Sequence, residues 1–288
     1  MKVTVKAAAK LNLSLDVVGR RSDGYHLLEM VMQSVDLFDT VTLTDREKGV
    51  SLSVNRDDVP QNEANIGYKA ARLFCESARV PFDGFHIKLK KRIPMAAGLA
   101  GGSADAAAVL LGLNEWFGRP LSLDELRNAA VKIGADVPFC LMGGTVFAEG
   151  IGSLLTPLPS LPRCFFVLAK KGEKPSTAQM YAQYDQMIRP KRPRTRELID
   201  ALCSGQLDAA ARLCRNVFDE MWESENALLR RVMQEHGALG TAVSGSGPTL
   251  FGVFEDEGSA DRCAGELKAL ADEVFVCEPT EFGCEMDA

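Results

Sequence analysis

Residues 3 to 17 alternate without a break. Val3, Val5, Ala7, Ala9, Leu11, Leu13, Leu15 and Val17 hold the odd positions, and Thr4, Lys6, Ala8, Lys10, Asn12, Ser14 and Asp16 the even ones. Successive side chains on an extended backbone point to opposite faces, so period two over this length predicts a long β-strand with one buried face. Lys10 and Asn12 must then project together from the other, more polar face.

Strand-like segments follow at 26–38, 40–45 and 50–54, then a helix over Asn65–Ala78 and a strand over Phe85–Leu89. Ala104–Phe117, rich in alanine and leucine, reads as a buried helix. Ser122 and Glu125 form a capping box for a helix over Ser122–Ile133, with Gly134 suited to its end. A short strand over Thr145–Ala148 precedes the proline-broken run 155–162, which predicts a boundary between domains 1–160 and 161–288. Beyond it the pattern predicts a strand over Cys164–Ala169, helices over 177–187, 195–203, 206–214 and 225–236, a strand over Thr249–Phe254, a helix over 259–271 and a strand over 274–276. This irregular mixture predicts an α+β fold rather than a doubly wound parallel sheet.

With 288 residues, 46% hydrophobic and 25% charged, the chain has the make-up of a globular protein rather than a disordered tail or a coiled coil. The net charge of −6 argues against a general nucleic-acid coat. The basic stretch Arg189-Pro190-Lys191-Arg192-Pro193-Arg194 reads as a solvated linker, with nucleic-acid binding as the competing reading. The eight cysteines form no CxxC pair, which predicts free thiols in a reducing compartment. No apolar run approaches the ~18 residues of a spanning helix, and the N-terminal residues lack a signal-peptide core, so the expected location is the cytoplasm with no membrane partner.

Four short motifs carry chemistry. Pro94-Met95-Ala96-Ala97-Gly98-Leu99-Ala100-Gly101-Gly102-Ser103-Ala104 leads from a strand through small residues into a helix. Small residues allow close backbone approach, and a helix N-terminus offers free N–H groups, a combination that suits phosphate. The glycine spacing matches neither a P-loop nor the dinucleotide fingerprint. Val243-Ser244-Gly245-Ser246-Gly247-Pro248-Thr249 reads equally as a hairpin loop or a ligand loop. Asp23-Gly24-Tyr25-His26 reads first as a turn. In Gly134-Ala135-Asp136-Val137-Pro138-Phe139, helix capping is the default role of Asp136, yet a lone carboxylate among apolar neighbours also suits a proton acceptor.

Together these segments resemble the GHMP kinase superfamily, whose members phosphorylate small-molecule hydroxyls with ATP. Ala9-Lys10-Leu11-Asn12-Leu13, Asp23-Gly24-Tyr25-His26, Gln33 with Leu37 and Asp39, and Gly134–Phe139 are most similar to the branch whose alcohol substrate carries a cytidine diphosphate and feeds non-mevalonate isoprenoid synthesis. The resemblance implies a ribosomal-protein-S5-domain-2-like N-terminal domain, a ferredoxin-like C-terminal domain and an active site in the cleft between them. It implies Lys10 and Asp136 as the catalytic pair and Asn12 near the substrate hydroxyl. Residues 94–104 would hold the ATP phosphates, with Ser103 near Mg²⁺ and with Asn65 and Lys91 near the adenine. Tyr25 and His26 would take the cytosine, with Tyr181 on its opposite face, and Thr177, Gly245, Ser246 and Gly247 would bind the substrate. Mg²⁺ would arrive with ATP rather than at a dedicated metal site, and the enzyme would act as a monomer or homodimer.

Two positions depart from the family pattern. Ala100 stands where glycine is common, a substitution worth about 1–2 kcal/mol if φ is positive there. Pro248 removes an N–H donor. The alternatives are a kinase of the homoserine or mevalonate type, which has no use for a base-reading turn, and a ligand sensor on the same fold, which has no use for Lys10 and Asp136.

Overall fold

The computed structural model of the chain describes residues 1–188 and 190–287; Arg189, part of the basic stretch, lies outside them. β1 (Lys2–Arg20) and β2 (His26–Asp45) form one antiparallel hairpin. The separate strands expected at 26–38 and 40–45 are continuous, and a bulge in β2 at Asp36 and Leu37, opposite the Ala8–Ala9 step of β1, absorbs the irregularity. A second bulge falls between Asn12 and Ser14, and bulges re-aim side chains beside sites.

β3 (Val50–Val54), α1 (Ile66–Ala78), β4 (Phe85–Lys90), α2 (Gly101–Trp116), α3 (Leu123–Ala130), α4 (Val137–Met142), β5 (Thr145–Gly150) and β6 (Leu154–Pro157) complete the first half. β1 pairs with β2, β2 with β4 and β4 with β3, while β5 pairs with the first part of β2 and β6 with β5. The run read as a pure breaker thus begins with an edge strand, which Pro157 ends; an edge tolerates proline because its N–H faces no partner. α2 is buried almost all round, and Gly112 lets it approach Val5 and Leu43 closely.

The second half contains β7 (Phe165–Lys170), α5 (Thr177–Tyr184), α6 (Thr195–Cys203), α7 (Leu207–Leu213), β8 (Arg215–Asn216), a 3₁₀ turn at Asp219–Trp222 and α8 (Glu223–Glu235). β9 (Gly240–Val243), β10 (Leu250–Phe254), α9 (Glu257–Leu267), β11 (Glu273–Cys277) and β12 (Cys284–Met286) follow. Its antiparallel sheet runs β11-β7-β10-β9, the ferredoxin-like order. β8 and β12 leave this unit and pair with β1, so segments from beyond residue 160 finish the first sheet.

The one-sided burial expected of β1 is not what the structure holds. From Ala7 to Val17 both faces are buried. The odd residues face the apolar core, while the even ones meet the second half of the chain. Asn12 meets Ser244 and Gly245, Ser14 accepts a hydrogen bond from Thr195 at 3.2 Å, and Asp16 takes a bidentate pair from Arg192 at 2.9–3.1 Å. The described cations of the basic stretch are therefore paired with carboxylates: Arg192 with Asp16, Arg194 with Glu197 and Lys191 with Glu220. All eight cysteines are free, with Cys203 exposed.

Leu11 is wholly buried at the centre of this frame. Leu11→Ala should lower stability by about 2–5 kcal/mol, read from the urea midpoint. A loss below about 1 kcal/mol would contradict the packing described.

Candidate active site

Three carboxylate or ammonium groups shape the loop between β4 and α2. Asp39 accepts from the backbone N–H groups of Arg92 and Ile93 and from the Lys91 ammonium. Lys91 also donates to Asp105 on α2 at 2.6 Å and to the carbonyl of Gly101 at 3.3 Å. Between these anchors Ala96, Gly98 and Ala100 take positive φ values of 50°, 78° and 57°. Left-handed residues interleaved in a loop form the backbone concavities that bind anions. Ala100 keeps the left-handed conformation despite its methyl group, so the substitution carries its strain of about 1–2 kcal/mol. It is the N-cap of α2 and makes no side-chain capping bond, so the first amides of the helix are left for a ligand.

The second glycine loop lies directly against the first. A Cβ on Gly98 would fall 2.0 Å from the Ser244 carbonyl oxygen, and one on Gly245 would fall 3.0 Å from that of Gly98. Ser244 donates to the Gly98 carbonyl at 3.0 Å and accepts from the Asn12 backbone N–H at 3.2 Å. The Asn12 side-chain Oδ1 accepts from Gly245 N–H at 2.9 Å and from the Lys10 ammonium at 2.5 Å. Lys10 is thus aimed by Asn12, and Asn12 by the loop of the other domain.

A cleft of about 450 Å³ opens at this junction, lined by Lys10, Asn12, Pro94 to Gly98, Ala100 to Ser103, Asp136, Lys174, Thr177, Tyr181, Gly245 and Ser246. Asp136 is the N-cap of α4 but makes no side-chain capping bond, so the default reading fails and its carboxylate is left for the cleft. Lys174 was not singled out by sequence: it lies in Lys170-Lys171-Gly172-Glu173-Lys174, where a charged run reads as a solvated loop.

A second cleft of about 610 Å³ adjoins the first and shares Leu28, Asp136, Ile151, Thr177 and Tyr181 with it. Tyr25 and His26 line it at the mouth of the β1–β2 hairpin. Gly24, at φ 92°, turns the chain, and Arg21 N–H donates to the Tyr25 carbonyl at 2.8 Å. Tyr25 is left 65% exposed. The His26 ring stacks on Tyr181 with centroids 4.8 Å apart, and its Nε2 lies 2.8 Å from Asp185, which also pairs with Arg20. Tyr25 and Tyr181 therefore do not face each other as two sides of one slot, because His26 covers a face of Tyr181.

Other expected residues are engaged elsewhere. Lys91 is buried between its two carboxylates, and Asn65 caps α1 through Gly67 N–H while donating to the Pro60 carbonyl. Neither lines the cleft, although Ile66 does. Leu99 and Ala104 point into the core. Gly247 packs on the Trp222 indole, which donates to the Ser246 carbonyl at 3.1 Å, so it supports the loop from behind.

These clefts lie within a chain whose residues 65–144 match the model of the GHMP kinases N terminal domain and whose residues 198–272 match that of the GHMP kinases C terminal domain. The chain belongs to the GHMP kinase family. It is 44% identical over 273 residues to a 4-diphosphocytidyl-2-C-methyl-D-erythritol kinase of Alkaliphilus metalliredigens, covering 93% of this chain and 94% of the relative. The crystal structure of a 4-(cytidine 5'-diphospho)-2C-methyl-D-erythritol kinase superposes with a TM-score of 0.79 at 32% identity, over 97% of this chain and 99% of that one. Homoserine kinase from Cytophaga hutchinsonii reaches the same TM-score, 0.79, at 18% identity, over 99% of this chain and 97% of that one, and shares the fold.

Burial pushes the Asp105 carboxyl up to about 7, with Lys91 pulling the other way. A folded-state value above the ordinary 3.8 means that the contribution of this group is full below the ordinary value and is lost as the pH rises towards about 7. Asp105→Asn removes that slope, so urea unfolding should show the variant gaining on the parent chain between about pH 5 and about pH 8. An equal difference at both pH values would contradict this.

Proposed function

We propose that this enzyme transfers the γ-phosphoryl group of ATP to the 2-hydroxyl of 4-diphosphocytidyl-2-C-methyl-D-erythritol, a step in non-mevalonate isoprenoid precursor synthesis. The observation that carries the reading is the position of Asp136, which lines both the phosphate cleft and the cleft of Tyr25 and His26. A carboxylate at that junction can accept the proton of a hydroxyl presented from one side to a phosphate on the other.

ATP phosphates rest on the loop amides and the first turn of α2. Lys10, aimed by Asn12, stabilises charge on the transferred phosphoryl oxygens. Mg²⁺ would arrive with the nucleotide, and the Ser103 hydroxyl, which lines the phosphate cleft, would be a protein oxygen available to it. Mg²⁺ bound there would offset phosphate charge. Positioning and electrostatics dominate phosphoryl transfer, so few reactive side chains suffice.

On the other side, the open Tyr25 ring offers a stacking face for a base. In the tautomer in which His26 donates from Nε2–H to Asp185, Nδ1 is an acceptor for an exocyclic amine such as that of cytosine. Among the described residues no helix is long and apolar enough to cross a membrane, and we place the reaction in the cytoplasm.

The direct test is ATP consumption by the purified protein with Mg²⁺ and the cytidyl alcohol, homoserine or mevalonate. Turnover with the cytidyl alcohol alone is expected, and equal or better turnover with either other alcohol would overturn the base assignment. Asp136→Asn should lower kcat by roughly 10²–10⁴ while ATP still binds. Tyr25→Ala should raise KM for the cytidyl substrate by roughly 5- to 150-fold, the loss of one stacked base worth about 1–3 kcal/mol, with kcat nearly unchanged.

A further inference from the structure

We propose that Lys174 is a second cation for the phosphoryl group in flight, with its ammonium placed beside Lys10 at the γ-phosphate of ATP; the proposal rests on the kinase reading above.

Lys174 stands two residues before Ser176, the N-cap of α5, and lines the cleft of the phosphate loop. Its ammonium donates to the hydroxyls of Ser246, on the second glycine loop, and Thr177, the latter at 3.2 Å. Among the described residues these are its hydrogen-bond partners, and neither is an anion. A partly buried ammonium held by two neutral hydroxyls lacks the counter-charge that would offset its desolvation.

The nearby charges sharpen the point. Burial first, and then the charge of Lys10, push the Lys174 ammonium down to about 8, while Asp136 pulls it back. The charged residues lining the cleft are Lys10, Lys174 and Asp136, two cations to one carboxylate. Such a site is strained when empty of anions and relaxed by a polyphosphate, which also raises the proton affinity of both lysines.

Position decides which phosphate. Lys174 lines the cleft of the phosphate loop and does not line that of Tyr25 and His26. Its neighbours Thr177 and Asp136 line both. The ammonium therefore lies at the ATP side of the junction where transfer occurs, rather than at the cytidyl diphosphate. The inner phosphates already have the amides at the start of α2, and the outermost phosphate is the one left facing the lysine wall. A cation there counters charge on the equatorial oxygens as the bond from the γ-phosphorus to the ADP oxygen breaks and that to the alcohol oxygen forms, the proton passing to Asp136.

The test uses ATP and ADP, each with Mg²⁺ and without any alcohol, titrated against the parent protein and Lys174→Met by calorimetry. A γ-phosphate contact predicts that ATP affinity falls by about tenfold or more while ADP affinity stays within about twofold. Lys174→Gln, which keeps a hydrogen-bond donor but no charge, should show the same selective loss. Unchanged ATP affinity, or ADP affinity that falls as far as that of ATP, would overturn the proposal, because the lysine would then serve the fold or the inner phosphates. Intact ADP binding also reports that the variants are folded. Because the comparison needs only nucleotide, it is independent of the alcohol: a parent protein that binds ATP but does not phosphorylate the cytidyl substrate would sink the substrate assignment and leave this result standing.

Discussion

The Lys91 ammonium, buried between the carboxylates of Asp39 and Asp105, is the interaction on which the phosphate site depends. One carboxylate belongs to β2 and also grips the two amides that precede the loop; the other belongs to the first turns of α2. The loop is thereby held at its entry and at its exit, and the residues between can adopt left-handed conformations that a free chain would avoid. Replacing a buried ion cluster by apolar groups is often neutral for stability, so its value here lies in position rather than in net stabilisation. Among the described residues one Asp105 oxygen has no hydrogen-bond partner, and burial raises the proton affinity of that carboxyl. A purely structural cluster gains nothing from that; one that must hold a helix N-terminus open gains a fixed geometry.

β1 carries the same logic to the scale of the molecule. Its odd residues anchor the core and its even residues meet the second domain, so the strand is a wall with two inner faces. Lys10 and Asn12 emerge from that wall at the level where the two glycine loops touch. The width of the cleft is then set by backbone contact between Gly98 and Ser244–Gly245, which leaves no space for a methyl group.

Much of this was legible in the residues. The period-two run predicted β1, the small-residue run predicted the loop into α2, and Asp136 stood out as a lone acid among apolar neighbours. Where sequence reading stopped, the reason was tertiary. Whether the polar face of β1 is wet or covered depends on Ser244, Thr195 and Arg192, which lie far along the chain. Lys91 and Lys174 are both lysines in polar company in the sequence, yet one is consumed by two buried carboxylates and the other faces the cleft beside hydroxyls alone. β9 and β12 are too short for a period to declare itself. The ring partner of His26 could not be read from spacing, because Tyr181 reaches it only through the packing of α5.

The pairing of β8 and β12 with β1 bears on the order in which the molecule can be made. β1 leaves the ribosome well before β8 and β12, the strands that pair with it from the second half of the chain. During synthesis that edge stands open, with unpaired backbone groups able to recruit another chain. The proline-rich run near residue 160 marks a change of sheet but not a place where the nascent protein could pause as a finished unit. The first sheet closes only when the residues around 284–286 come back to Val5–Ala7, whereas the walls of the cleft are already complete in the chain that ends with Gly245 and Ser246.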